Sequence, residues 1–170
     1  MRTIRIFFCK TGESVYISHL DLQRVMARAL RRSGLPVWYS QGFNPHIYMS
    51  FALPLPLVHQ SLAETVDCKT ESEETDFSAY VKPLSNALPR GIEVYRIAEP
   101  VCAAGDIAAA EYRITHAGQS EAALRKAADE YAALPQAKVT RKTKRSEQHM
   151  AVKEVLPKLD GCADENGKGD

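Results

Sequence analysis

Ser18-His19-Leu20-Asp21-Leu22-Gln23-Arg24-Val25-Met26-Ala27-Arg28-Ala29-Leu30-Arg31-Arg32-Ser33-Gly34 is the stretch whose reading decides the fold. Ser18 is a helix-capping residue type, and Asp21 falls in the first turn, where its charge meets the positive helix end. Leu22, Val25, Met26, Ala29 and Leu30 recur at i, i+3, i+4, i+7 and i+8, one apolar stripe of a helix. Arg24, Arg28, Arg31 and Arg32 fall on the other side. Gly34 stops the helix, and Pro36 prevents a restart.

Working outward, residues 3–9 are β-branched and aromatic and predict a strand. Lys10-Thr11-Gly12-Glu13 reads as a turn and Val15-Tyr16-Ile17 as a short extended piece. After the helix, Leu35 to Tyr39 begins a second strand, and Ile47 to Leu57 continues extended. Pro54 and Pro56 restrict that segment to a sheet edge or an arm. Ser61 to Lys69 predicts a third strand, Phe77 to Leu88 a helix interrupted by Pro83, and Ile92 to Ile97 a fourth strand.

This order, β-α-β-β-α-β, is the ferredoxin-like pattern of an α+β fold. It predicts a ferredoxin-like domain over residues 1–97 and a linker over 98–109. A second, partial ferredoxin-like unit is expected over 110–158. Its elements are a strand at Ala110 to Thr115, a helix at Ser120 to Leu134, a strand at Lys138 to Lys144 and a partner strand at Met150 to Leu156. That is an incomplete β-α-β-β copy. Residues 159–170 are polar and Gly-rich and are expected to be a disordered tail.

Composition bounds the function. Hydrophobic content of 45% and charged content of 25% are ordinary for a globular protein. No apolar run approaches a membrane span, and no signal-peptide core follows Met1, so a cytoplasmic protein without membrane contact is expected. Cys9, Cys68, Cys102 and Cys162 are scattered without a Cys-x-x-Cys pair, which argues against a bound metal and for free thiols. The net charge of +1 is segregated: +5 over residues 1–50, −4 over 51–100, −2 over 101–135, +5 over 136–158 and −3 over the last twelve. Two basic segments around an acidic middle fit one basic face, provided the fold unites them.

Trp38-Tyr39-Ser40-Gln41-Gly42-Phe43-Asn44-Pro45-His46 concentrates aromatic, amide, hydroxyl and imidazole groups in nine residues. Gln41 and Asn44 each donate and accept, which suits base edges, peptide groups or the loop's own backbone. Tyr39 and Phe43 can stack unpaired bases. His46 reads as a hydrogen-bonding loop residue or as a general acid or base. His19 with Asp21 reads as an acid–base pair or as a capped helix start. His19, Asp21 and His46 are therefore the candidate catalytic groups, none carrying a catalytic motif. The arginines are a solvated helix face or a phosphate grip, since guanidinium groups hold phosphate in two-pronged fashion. Lys142, Lys144 and Arg145 belong to the second basic run.

Ser18-His19-Leu20-Asp21, Arg28-Ala29-Leu30-Arg31-Arg32-Ser33-Gly34-Leu35-Pro36 and Tyr39-Ser40-Gln41-Gly42-Phe43-Asn44-Pro45-His46 together resemble the bacterial radical SAM-linked protein family. Its members are fused to, or encoded beside, B12-type radical SAM proteins. The resemblance implies a radical SAM protein as partner, with the iron–sulfur cluster and SAM bound by that partner and no cofactor on this chain. The expectation is a non-catalytic RNA-binding partner or accessory domain acting in RNA modification or processing. In it Arg24, Arg28, Arg31, Arg32, Lys142, Lys144 and Arg145 hold phosphates, and Tyr39, Gln41, Phe43, Asn44 and His46 read or stack bases. The alternatives are an adaptor docking on the radical SAM protein and a metal-free endoribonuclease using His19 or His46.

Overall fold

Period-two alternation along Arg2–Lys10 puts Ile4, Ile6, Phe8 and Lys10 on one side of a strand, and all four are buried. A computed structural model, which describes residues 1–115, 118–135, 138–142 and 147–160, shows what covers them. Strand β1 (Arg2–Lys10) is followed by helix α1 (His19–Ser33), β2 (Met49–Phe51), β3 (Ser61–Thr70), α2 (Ser78–Asn86) and β4 (Ile92–Ala98). The four strands form one antiparallel sheet in the order β2-β3-β1-β4. Leu22, Met26, Ala29 and Leu30 of α1 join Phe77, Leu84 and Leu88 over Ile4, Ile6, Phe8, Val66, Cys68 and Ile92. Both helices therefore lie on one face of the sheet, an α+β arrangement.

Helix α1 is capped as its sequence predicts. The Ser18 Oγ accepts from the Asp21 backbone N–H at 3.2 Å, and Gly34 closes the other end. β2 is shorter than predicted. Before it Val37 makes a single bridge to Thr70 of β3 and the Trp38 N–H donates to the Lys69 carbonyl at 2.8 Å, while Tyr39 and Ile47 bridge to each other. β2 lies at the sheet edge, where Pro54 and Pro56 just beyond it leave no inner ladder broken. The extended piece expected at Val15–Ile17 is instead the end of a 3-10 turn, Gly12–Tyr16. Ser14 decides this: its hydroxyl donates to the Thr11 carbonyl at 2.7 Å and lies 3.0 Å from the Gly91 carbonyl, which curls the chain.

Two units separate, Met1–Ala109 and Ala110–Asp170. The second contains helix α3 (Glu121–Ala133), capped by Ser120, strands β5 (Lys138–Lys142) and β6 (Glu147–Ala151), and a short helix α4 (Val152–Val155). The strand expected at residues 110–115 does not form, and those residues are exposed. A strand needs a pairing partner, and among the described residues none pairs with this segment. The partner strand expected at Met150 to Leu156 starts and ends earlier, and its second half is α4. Of the expected tail, residues 161–170 lie outside the described residues.

Lys10 is the unexpected occupant of the core face. Its residue is 1% exposed, and its ammonium reaches the Val15 carbonyl at a long 3.4 Å. Burial pushes its pKa below the ordinary lysine value, and the charge of Glu64, also buried, opposes that only in part. A lysine that loses its proton more easily when folded opposes folding throughout the pH range where it is charged in both states. Between the folded and unfolded values the unfolded chain binds more protons, so stability rises with pH there. Urea unfolding from pH 7 upward is expected to show this rise just below the usual lysine titration. Lys10→Met is expected to be more stable than wild type at pH 7 and to lack the rise. An unchanged profile in Lys10→Met would assign the rise to another group.

Cys9, Cys68 and Cys102 are free thiols. Cys68 is sealed in the core, and burial pushes its thiol up to about 12, with Asp67 adding to the effect. It is a packing residue and not a nucleophile.

Candidate nucleic-acid interface

The polar loop is built on a closed base. Tyr39 and Ile47 pair across it, the Ser40 N–H donates to the His46 carbonyl at 2.9 Å, and the His46 N–H donates to the Ser40 Oγ at 3.1 Å. The His46 Nδ1 lies 2.8 Å from the same hydroxyl and 3.3 Å from the Asn44 carbonyl. Ser40 and His46 thus satisfy one another and set the imidazole on the loop wall. Gly42 turns the chain at a φ of 129°.

Everything between them faces water. Gln41, Phe43, Asn44, Pro45 and His46 are exposed, and Phe43, at 106%, has nothing packed against it. Tyr39 is 38% exposed. Beneath the loop, Trp38 and Tyr48 flank Lys69 of β3. The Lys69 ammonium stands 5.5 Å from the Trp38 ring centroid and 4.7 Å from that of Tyr48. Trp38 is half-buried against this cation. Lys69 is a residue the sequence reading missed, because only the edge pairing of the loop to β3 brings the two rings to it.

His19 and Asp21 are not a pair. The Asp21 carboxylate accepts from the Ser18 hydroxyl at 2.7 Å and from Arg24 at 3.1 Å. The Ser18 hydrogen bond, helped by Arg24, holds it below the usual carboxylate range. His19 turns the other way. Its Nε2 lies 3.0 Å from the Gln23 amide nitrogen, and its ring meets Phe51 edge-on at 5.0 Å. Its Nδ1 is buried with no hydrogen-bond partner. The structure therefore uses Asp21 in the helix cap and His19 in packing.

The arginines divide. Arg24 is tied to Asp21, and Arg32 donates to the Ala87 carbonyl at 2.9 Å. Arg28 and Arg31 are exposed and make no ion pair among the described residues. Arg28 and Arg32 line an open surface cavity of about 350 Å³ with Val25, Ala87, Leu88 and Pro89. That cavity adjoins the end of α2, whereas the loop is rooted at the β2 edge, and no hydrogen bond joins them among the described residues. Lys142 is in β5, and Lys144 and Arg145 lie outside the described residues.

Among the described residues no group of three or more His, Cys, Asp or Glu side chains is placed to hold a metal ion. No helix among them is long and apolar enough to cross a membrane. A family model described as "Uncharacterized protein conserved in bacteria (DUF2344)" matches residues 3–167. No curated protein and no solved structure matches the chain.

Proposed function

The chain belongs to this bacterial family, and on that premise we propose that its first unit is a non-catalytic RNA-binding module, the accessory part of a radical SAM enzyme that modifies or processes RNA in the cytoplasm. One observation carries the reading: a fully exposed Phe43, flanked by free amides at Gln41 and Asn44, on a loop whose base is locked by Ser40 and His46. An aromatic ring held out into water loses apolar stabilisation unless something covers it. Amide side chains around it suit a base, whose face stacks and whose edge both donates and accepts. Arg28 and Arg31, which among the described residues make neither the ion pair of Arg24 nor the carbonyl contact of Arg32, supply charge for phosphates. The antiparallel order β2-β3-β1-β4 supports reading this unit as ferredoxin-like. The resemblance to the radical SAM-linked family supports the choice of partner, which would carry the iron–sulfur cluster and SAM.

Trp38 is the only tryptophan of the chain and stands at the loop root, so its fluorescence reports binding there. Titration with single-stranded RNA at low salt is expected to quench it, with affinity falling as salt rises. Phe43→Ala is expected to weaken binding about ten-fold, the loss of one stacked base. Its thermal midpoint is expected to stay unchanged, since the ring contacts nothing in the fold. No binding of any cellular RNA at low salt would end the reading.

A second reading, an adaptor docking on the radical SAM protein itself, is favoured by the exposed apolar side chains Leu53, Leu57, Val58 and Leu62 around the β2–β3 connection. Co-purification with that partner that survives nuclease and is lost in Leu62→Asp would support it over RNA binding.

A further inference from the structure

Alternation along β1 and β3 sends Thr3, Arg5, Phe7 and Cys9, with Thr65, Asp67 and Lys69, to the face of the sheet opposite α1 and α2. Neither helix covers that face, and half-exposed rings gather at its two ends. At one end Lys69 stands over Trp38 and Tyr48. At the other, Arg96 stands over the Phe7 ring at 5.3 Å, and Tyr95 lies 6.3 Å from Phe7. This second cluster depends on an irregular pairing. Phe7 pairs with Arg96 but Phe8 with Val94, so Tyr95 is the extra residue of a bulge. The bulge leaves Tyr95 and Arg96 both exposed and both beside Phe7.

Three of the four cation–aromatic contacts of the first unit, among the described residues, involve side chains of this face. Two cations, Lys69 and Arg96, account for them. The rings are not used up by packing: Tyr95 is 51% exposed and Tyr48 47%. Between the clusters Arg5 and Asp67 neutralise each other, Nε to Oδ1 at 2.7 Å and Nη2 to Oδ2 at 2.9 Å, and the charge of Asp106 also reaches Arg5. In register, Phe7 pairs with Thr65 and Thr3 with Lys69, a separation of four residues. That is about 13 Å along the strands, within reach of a few nucleotides of single strand.

We propose that the exposed ring clusters at the two ends of this sheet face form a single-stranded RNA-binding surface continuous with the polar loop, with one base on the Trp38–Lys69–Tyr48 cluster and another on the Phe7–Tyr95–Arg96 cluster. It extends the RNA reading above and rests on it. Half-exposed rings stack bases without regard to sequence, and the adjacent cations meet the phosphates. The polymer is single-stranded because a duplex hides the base faces that such rings need.

The test uses the full chain and a fluorescein-labelled ten-nucleotide RNA of mixed sequence, alone and annealed to its complement. Tyr95→Ala and Arg96→Ala, both at exposed positions, are each expected to weaken single-strand binding about ten-fold, with circular dichroism unchanged. The duplex is expected to bind more weakly than the single strand. If Phe43→Ala weakens binding while both β4 variants bind as wild type, the loop reading stands and the sheet-face proposal is overturned. If the β4 variants instead change self-association and leave RNA affinity alone, the face is a protein interface and the proposal is likewise overturned. Complete absence of RNA binding in the wild type removes both.

Discussion

Gly91→Ala is expected to cost the first unit about 3–4 kcal/mol of stability. Gly91 opens β4 at a φ of +88°, in the left-handed region that side chains disfavour by about 1–2 kcal/mol. The new methyl also has no room. It would overlap the Thr11 carbonyl oxygen and press on the Ser14 side chain at 3.1 to 3.2 Å. The obstacle is backbone and cannot swing aside. Thr11 must move, and with it go the Thr11 N–H to Gly91 carbonyl bond at 2.8 Å and the Ser14 contact at 3.0 Å, each worth about 1 kcal/mol. Together these losses come to about 3–4 kcal/mol, against total stabilities of about 5–15 kcal/mol for domains. Urea unfolding measures it. Gly12→Ala is the control: Gly12 also has a positive φ, of 57°, but open space around it, so only the backbone term of about 1–2 kcal/mol applies. Equal losses at the two sites would show that crowding by Thr11 does not matter.

Asp67→Ala is expected to be nearly as damaging, for an electrostatic reason. Arg5 and Asp67 sit on the two central strands with side chains only 12% and 13% exposed, joined by two parallel hydrogen bonds. The Asp67 hydrogen bond raises the Arg5 pKa further above its already high value, so the guanidinium stays charged in the fold. Removing the carboxylate strands that charge where water barely reaches. Breaking a buried pair costs about 3–5 kcal/mol, and the remaining solvent access favours the lower end, about 3 kcal/mol. Replacing both partners, Arg5→Met with Asp67→Leu, is expected to recover stability to within about 1 kcal/mol of wild type, because no unpaired charge remains. A loss below about 1 kcal/mol in Asp67→Ala alone would mean that the pair behaves like an exposed one.

The contrast between α1 and the second unit shows what kind of information the sequence carried. Ser18, the five-residue apolar stripe and Gly34 define α1 from within its own length, and the structure places that helix where they predict. The strand expected at residues 110–115 looks as good by composition, yet no strand forms there. Strand formation depends on a neighbour, and composition is silent about whether one is present. The same distinction runs through the candidate site. The wealth of polar and aromatic groups in residues 38–46 is visible in the sequence, as is the exposure expected of such a loop. The His19–Asp21 pairing was a proximity in sequence only. On a helix start Asp21 is captured by Ser18 and Arg24, one turn around, while His19 turns toward Phe51.

By itself, then, the sequence determined the short-range features: where α1 is capped and stopped, which segment the prolines after β2 keep at the edge, and which loop bears unspent polar groups. Each follows from dihedral preference and hydrophobic period within a few residues. Only the tertiary structure decided that Asp67 neutralises Arg5 from 62 positions away, that Gly91 must admit the Thr11 turn, and that Tyr95 and Arg96 gather at Phe7. These depend on strand register and on one bulge. Register is set by how whole elements pack, so no local pattern of residues announces it.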